Sequence, residues 1–545
     1  MPLGKRAAAI AYSLGMVAAC GARSRLDVPP PLPPQPECTK SEDCPGYDDA
    51  CAPVRCIDSD KYRGILPELP EGVPLPPRVC YPVTQVNCDD GDACTEDTCD
   101  KVTGECAHPS VTPDLDGDGR YAPLPGHQAG DEGSCGDDCN DASDQAYPDN
   151  PERCDGVDND CNGVVDDGAE FVPLDTEPLR ISGDIAPAGP GGLAYGNDSY
   201  LAIYAGGSSG ADLYETRLAP SGEKLAPNEQ RVVLQNADSS GGPIVWVGDR
   251  YGVAWQDRRD SDYEIYFTEL GANGNKVLPD TRITNAPDFS VNPDLAWNGA
   301  EFVIAWQDKQ NGRFEIFAQR VTLDGKLAGD AVNVSSGLVA PPFDAEAPTI
   351  ASGPKTLGVV YASGPNGAQE LVFRALEQTT LARVAGPVTI SIPEAASVSP
   401  QIAWNEDRYV VTWYHRTASA GAERAIYATS IDETGKVLTP PTKVSDPGMT
   451  HRSRYPQVLP LGDRLLFFYA DDRDGNQGYE LYSRMVSADL SPMGTERRLT
   501  NAPFDSIYPI PAFGPTGDVG VLFRDDRLNG AQHVYFTRLS CNAGQ

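Results

Sequence analysis

The chain has 545 residues, with 79 acidic and 43 basic side chains and a formal net charge of -36. That excess excludes a nucleic-acid binder, whose partner's phosphates need a basic face, and a polybasic membrane-surface protein. Five histidines and five methionines leave little material for a His-based catalytic or soft-metal centre, so the charge points to solubility or to cations as ligands.

The charge is unevenly spread. Residues 38–168 carry 31 acidic against 8 basic side chains, together with 13 of the 15 cysteines, whereas residues 169–545 carry 46 against 31. Two kinds of protein are joined in one chain.

In chain order, Lys5 and Arg6 precede a short apolar run from Ala7 to Ala19, a secretory signal shape too short to span a bilayer. We read residues 1–19 as this signal and 20–37 as a tether, stiffened by the proline-rich run Val28 to Pro36. The end of the run, Val17-Ala18-Ala19-Cys20-Gly21, resembles the lipobox of bacterial lipoproteins. The resemblance implies a lipidated Cys20 as the first mature residue. With Gly21 rather than Asp behind it, it also implies outer-membrane sorting. Membrane contact is then expected through the lipid anchor only.

Export permits disulfides, and a segment poor in large apolar side chains needs them. Residues 38–110 hold two cysteine groups, Cys38/Cys44/Cys51/Cys56 and Cys88/Cys94/Cys99/Cys106. Farther on, Cys135/Cys139 and Cys154/Cys161 read as local pairs, and no CxxC supports zinc. Setting Cys20 aside, Cys80 belongs to no group and Cys541 stands alone at the far end, so a Cys80–Cys541 bridge is the simplest expectation.

The acidic residues of segment 111–169 are spaced for chelation. Asp114, Asp116 and Asp118 alternate ahead of Gly119, and Asp158, Asp160 and Asn162 alternate ahead of Gly163. A hard cation such as calcium wants six to eight oxygens, and this spacing wraps a loop around one. Neither loop has a Glu at its twelfth position, so Asp137, Asp138, Asp141, Asp144 and Asp166 are the remaining candidate ligands. The stretch DLDGDGRY to CDGVDNDCNGVVDDG resembles the metal-binding motif of bacterial surface proteins of the MopE type, and the calcium-binding type 3 repeats of thrombospondins. The MopE name suggests copper. His127 is the one nitrogen ligand on offer here, so carboxylate chemistry favours calcium.

From residue 170 short alternating strands take over, with a period of about 50. All six tryptophans form pairs nine residues apart, Trp246/Trp255, Trp297/Trp306 and Trp404/Trp413. Tyr195, Ser352, Pro460 and Phe513 mark the matching positions of four more repeats, spaced 51 to 56 residues apart. Four strands per repeat predict blades. The fold expected is mainly β: a seven-bladed β-propeller over residues 170–545, preceded by a small, irregular stalk rich in disulfides and Asp. The last repeat lacks its fourth strand, and EPLRISGD (Glu177 to Asp184) resembles that strand in other repeats, so an N-terminal strand closes the ring. In repeat shape and length the pattern resembles TolB-like and BNR-type propellers.

Asp257, Asp308, Asp471 and Asp525 recur after the second strand, with Arg259, Arg473 and Arg527 two residues on and Glu264, Glu315 and Glu480 opening the third. A residue repeated blade after blade solves a blade problem, whereas a catalytic group need appear only once. No sialidase Asp box SxDxGxxW, HExxH or P-loop occurs, and His415, His451 and His533 fall on separate repeats. The expected function is therefore non-enzymatic: an envelope binding protein with a protein or glycan as partner at the propeller face. The alternative is a glycan-active propeller enzyme, a sialidase-like hydrolase or a lyase.

Overall fold

The computed structural model describes residues 38–542, except 62–75, 83–84, 149, 151, 153–156, 164–169, 208–210, 234–237, 338–342, 394, 418–423, 447, 449–450, 475–477 and 516. The chain divides into two compact units, Met1–Asp144 and Gln145–Gln545. The expected signal, the Cys20 anchor and the tether lie outside the described residues, as do Cys154 and Asp166. Among the described residues, no helix is long and apolar enough to cross a membrane.

The first unit has little apolar core, and sulfur supplies what is missing. An antiparallel hairpin, Val54–Asp58 with Arg78–Pro82, sets Cys56 opposite Cys80. Each then bonds back toward the amino end, Cys38–Cys56 and Cys44–Cys80, around a small buried cluster of Cys38, Cys44 and Cys56. Cys51–Cys99 and Cys88–Cys106 join the next segment, and Cys94–Cys135 ties it to the Asp-rich stretch. Two expectations are corrected here. Cys80 is bonded to Cys44, not Cys541, because the hairpin carries it beside the first cysteine group. Cys135 is bonded to Cys94, not Cys139. Cys139, Cys161 and Cys541 are each disulfide-bonded too. These bonds mark an extracytoplasmic protein.

The second unit is the seven-bladed propeller, six four-stranded antiparallel sheets and a seventh that closes the ring. The third blade shows the plan: Ser290–Trp297, Phe302–Asp308, Glu315–Val321 and Leu327–Asn333 run outward from the central channel. Its second strand is buried throughout and its fourth is largely exposed. That gradient is what burying both faces of the inner strands between neighbouring blades requires. The tryptophans fill these interfaces: Trp255 packs among Leu201, Ile203 and Leu213 of the preceding blade.

Closure follows the sequence expectation and extends it. Leu179–Arg180 pairs with Phe536 and Tyr535 of the last strand, Ala531–Asn542. The match to other fourth strands holds at the hydrogen-bond level: Val534 N–H donates to Ser182 Oγ, as Ile265 donates to Thr284 and Leu481 to Thr500. The last strand does not stop at Leu539. It continues to Asn542 against Glu170–Pro173, with Cys541 opposite Phe171.

The recurring acidic residues pin the blades. Asp257 accepts from Ser239 Oγ (3.1 Å), Trp255 Nε1 (3.2 Å) and Arg259 (2.6 Å). Asp471 and Asp525 do the same with Ser453/Arg473 and Ser506/Arg527. Glu264 and Glu480 reach across to Arg282/Thr284 and Arg498/Thr500 of the fourth strand. Burial acts against the ionised Asp257, yet the Arg259 hydrogen bonds outweigh it and hold the carboxyl below the usual range.

Candidate metal centre

Two groups of carboxylates converge, one in each unit. In the first unit Asp114, Asp116 and Asp118 bring ligand oxygens within 4.8 Å of one another. The alternation does this through short turns, in which both oxygens of Asp114 and one each of Asp116 and Asp118 accept a backbone N–H. Gly117 and Gly119 donate to Asp114 (2.7 and 3.2 Å), Asp118 to Asp116 (3.2 Å) and Arg120 to Asp118 (2.7 Å). Gly117 and Gly119 take left-handed backbones (φ 82° and 90°), which is why glycine stands there.

The second oxygens are left facing inward. Asp116 Oδ2 and Asp118 Oδ2 are buried with no hydrogen-bond donor among the described residues. Asp138 is fully buried at 0% exposure, and its Oδ2 likewise has no donor, although Oδ1 accepts from Asn140 N–H at 2.7 Å. Burial pushes the Asp138 carboxyl up, and the charges of Asp116, Asp118 and Asp141 push it further. A buried carboxylate set among three like charges is unstable by itself. Asp141 braces the loop by accepting from Leu115 N–H (2.8 Å). Asp137 is taken up by an ion pair with Arg120, and Asp144 ends the unit without joining either group.

In the second unit Asp158 and Asp160 are joined by Glu152, again within 4.8 Å. Gly163 N–H donates to Asp158 (2.8 Å), Asp160 N–H to Glu152 (2.7 Å), and the Asn162 amide to Asp160 (3.0 Å). Glu152 was not among the expected ligands. It lies six residues ahead of the loop rather than at its twelfth position, and its glutamate ahead of Cys154 was the available signal. A third group, Asp90, Asp97 and His108, is exposed and already hydrogen-bonded, His108 Nδ1 to Asp97 at 2.8 Å.

The converging oxygens of Asp114, Asp116 and Asp118, with buried Asp138 close enough to feel the charges of two of them, fit a hard cation. All are oxygen donors, and the cysteines nearest in sequence, Cys135 and Cys139, are both held in disulfides.

A family model described as "Putative metal-binding motif", of the MopE copper-binding type, matches residues 138–167, and a Dictyostelium (slime mold) repeat matches residues 87–109. No curated protein matches the chain. Among solved structures, a protein of unknown function from Dyadobacter fermentans is 14% identical with a TM-score of 0.43, covering 69% of this chain and all of that one. The polysaccharide lyase Uly1 is 9% identical, TM-score 0.43, covering 68% and 99%. The phage phi92 endosialidase is 9% identical, TM-score 0.40, covering 69% and 70%. Likenesses this distant carry no argument, and the propeller rests on its own strand pairing. What the chain shares with known proteins by sequence is the metal-binding motif, whose first residue is Asp138.

Proposed function

We propose that the chain is a non-enzymatic binding protein of the cell envelope, anchored at the outer membrane through a lipidated Cys20, with calcium-binding Asp-rich loops and a propeller that presents the ligand surface. The observation that carries the calcium reading is Asp138, fully buried and lacking a donor at Oδ2 beside Asp116 and Asp118. A divalent cation supplies the positive charge that Asp138 finds in no ion pair among the described residues, Arg120 being paired with Asp137, and calcium is the one suited to carboxylate oxygens in a flexible loop. The repeated carboxylates of the propeller, engaged in blade pins, support a binding rather than a catalytic role.

Calorimetric titration of the chelated full chain tests this. Calcium is expected to bind with affinity in the range of extracellular modules, about 10⁻⁴–10⁻³ M, and Asp138→Asn to weaken it at least tenfold. Copper binding without calcium binding would overturn the reading. Failure of the chain to take up labelled fatty acid, or uptake unaffected by Cys20→Ser, would overturn the anchor.

A further inference from the structure

The central channel, of about 880 Å³, is walled by the first strands of all seven blades, each contributing a proline, from Pro190 to Pro509. In six blades the residue before that proline has a positive φ, and in five it is not the glycine such a backbone favours: Asn292 (φ 53°), Ala347 (50°), Ser399 (52°), Tyr455 (55°) and Tyr508 (57°). Each lies in a bulge where the first strand slips register against the second. The conformation suits an Asn and is strained for a tyrosine, by about 1–3 kcal/mol. Yet tyrosines hold it in two adjacent blades. Their rings line the channel with centroids 4.1 Å apart at 40°.

Next to Tyr455 in the chain, though not itself among the residues that line the channel, stands a cation without a counter-ion among the described residues. Arg454 lies over the rings of Tyr479 (5.2 Å) and Tyr414 (6.0 Å), and no carboxylate among the described residues pairs with it. Arg259, Arg473, Arg498 and Arg527 each hold two carboxylates. On a chain of net charge -36 few arginines lack a carboxylate, Arg374 and Arg383 being others among the described residues. Arg524, 5.3 Å over the Tyr508 ring, shares its charge with Asp526 at 3.4 Å. The amides of Gln401 and Gln457 line the channel in the fifth and sixth blades.

We infer that this corner of the channel binds an anionic saccharide. The Tyr455 and Tyr508 rings stack on the C–H face of a pyranose, Arg454 takes its carboxylate or sulfate, and Gln401 and Gln457 hydrogen-bond its hydroxyls. The inference rests on the propeller being the ligand-presenting part of the chain, and adds the site and the ligand class.

Calorimetry on the calcium-loaded full chain tests it with four probes: oligogalacturonate, a sulfated galactan oligomer, a neutral cello-oligosaccharide and inorganic phosphate. At least one anionic oligomer is expected to bind ten times tighter than the neutral one, and the stronger of the two identifies the anion. Arg454→Gln should erase that preference. The double variant Tyr455→Asn/Tyr508→Asn gives both bulges the side chain the third blade already carries. It should fold with an unchanged or raised thermal midpoint and lose at least tenfold in affinity. Binding of neither anionic oligomer, binding indifferent to the tyrosine pair, or phosphate matching the oligomers would overturn the site. Calcium heat measured on the same chain separates that failure from failure of the metal reading. Cleavage of a bound oligomer would support the site and overturn the non-enzymatic reading.

Discussion

Asp138 in the first unit and Asp471 in the propeller are both aspartates with 0% exposure, and their surroundings are opposite. Asp471 accepts from Ser453 Oγ (2.6 Å) and from the Arg473 backbone and guanidinium (each 2.9 Å), so both oxygens are satisfied by the chain itself. Asp138 has one donor, Asn140 N–H, and its charged neighbours are Asp116, Asp118 and Asp141. A buried carboxylate needs a positive partner. The propeller builds that partner into its second, sixth and seventh blades, as Arg259, Arg473 and Arg527, whereas Asp138 has no cationic partner among the described residues and must take one from solution.

The comparison is broken most directly by removing the built-in charge. Asp471→Ala leaves the partly buried Arg473 with Glu496 alone and Ser453 without its acceptor, a change that costs about 2–3 kcal/mol. Urea unfolding followed by tryptophan fluorescence reads this cleanly, because all six tryptophans lie in the propeller. In chelated protein Asp138→Asn should do the reverse and stabilise its unit, since it removes repulsion rather than a pair. Destabilisation by both variants alike would show that Asp138 has a partner within the fold.

Calcium sharpens the contrast at a similar scale. At free calcium 100 times the dissociation constant, linkage predicts about 2.7 kcal/mol for the first unit, read as a rise in its calorimetric transition. The tryptophan-reported transition of the propeller should move far less, because its pinned aspartates Asp257, Asp471 and Asp525 already hold arginines and the second carboxylate group lies outside its blades. An equal shift in both would mean that calcium acts on the propeller directly.

How much of this was legible in the sequence follows the same division. The blades were, because a period of about 50 residues repeats the same strand pattern seven times, and the Arg180-Ile-Ser182 match to Arg282-Ile-Thr284 located the closing strand. The chelating loops were as well, since alternate aspartates before glycine impose their own turns. Cysteine partners were not, because parity fixes a count and not a neighbour. Cys44 and Cys80 meet through a hairpin that no hydropathy pattern announces. Glu152 escaped because a ligand outside the loop obeys no loop spacing. The left-handed Tyr455 and Tyr508 escaped because a backbone angle at a bulge leaves no periodic trace.

Glu215 is a propeller carboxylate that departs from the pattern of the pinned aspartates, and it offers the smallest and most specific prediction. It is 2% exposed, Oε2 has no donor, and the nearest cation, Arg217, is turned to Ser199. Burial pushes its carboxyl up to about 7, with Arg217 offsetting only part of that. A lone buried glutamate, with no second carboxylate to share a metal, takes a proton. Below pH 4.5 both folded and unfolded states are protonated and burial carries no charge penalty. As pH rises the unfolded chain ionises first, so the folded state loses stability until its own carboxyl ionises near pH 7. Between pH 5 and pH 8 the loss is about 2.5 kcal/mol, and Glu215→Gln should flatten it while leaving stability at pH 5 nearly unchanged. Fluorescence-detected urea midpoints across that range decide the matter. A slope that survives in Glu215→Gln would assign the proton elsewhere, and Glu215 would then rejoin the paired carboxylates of its blade.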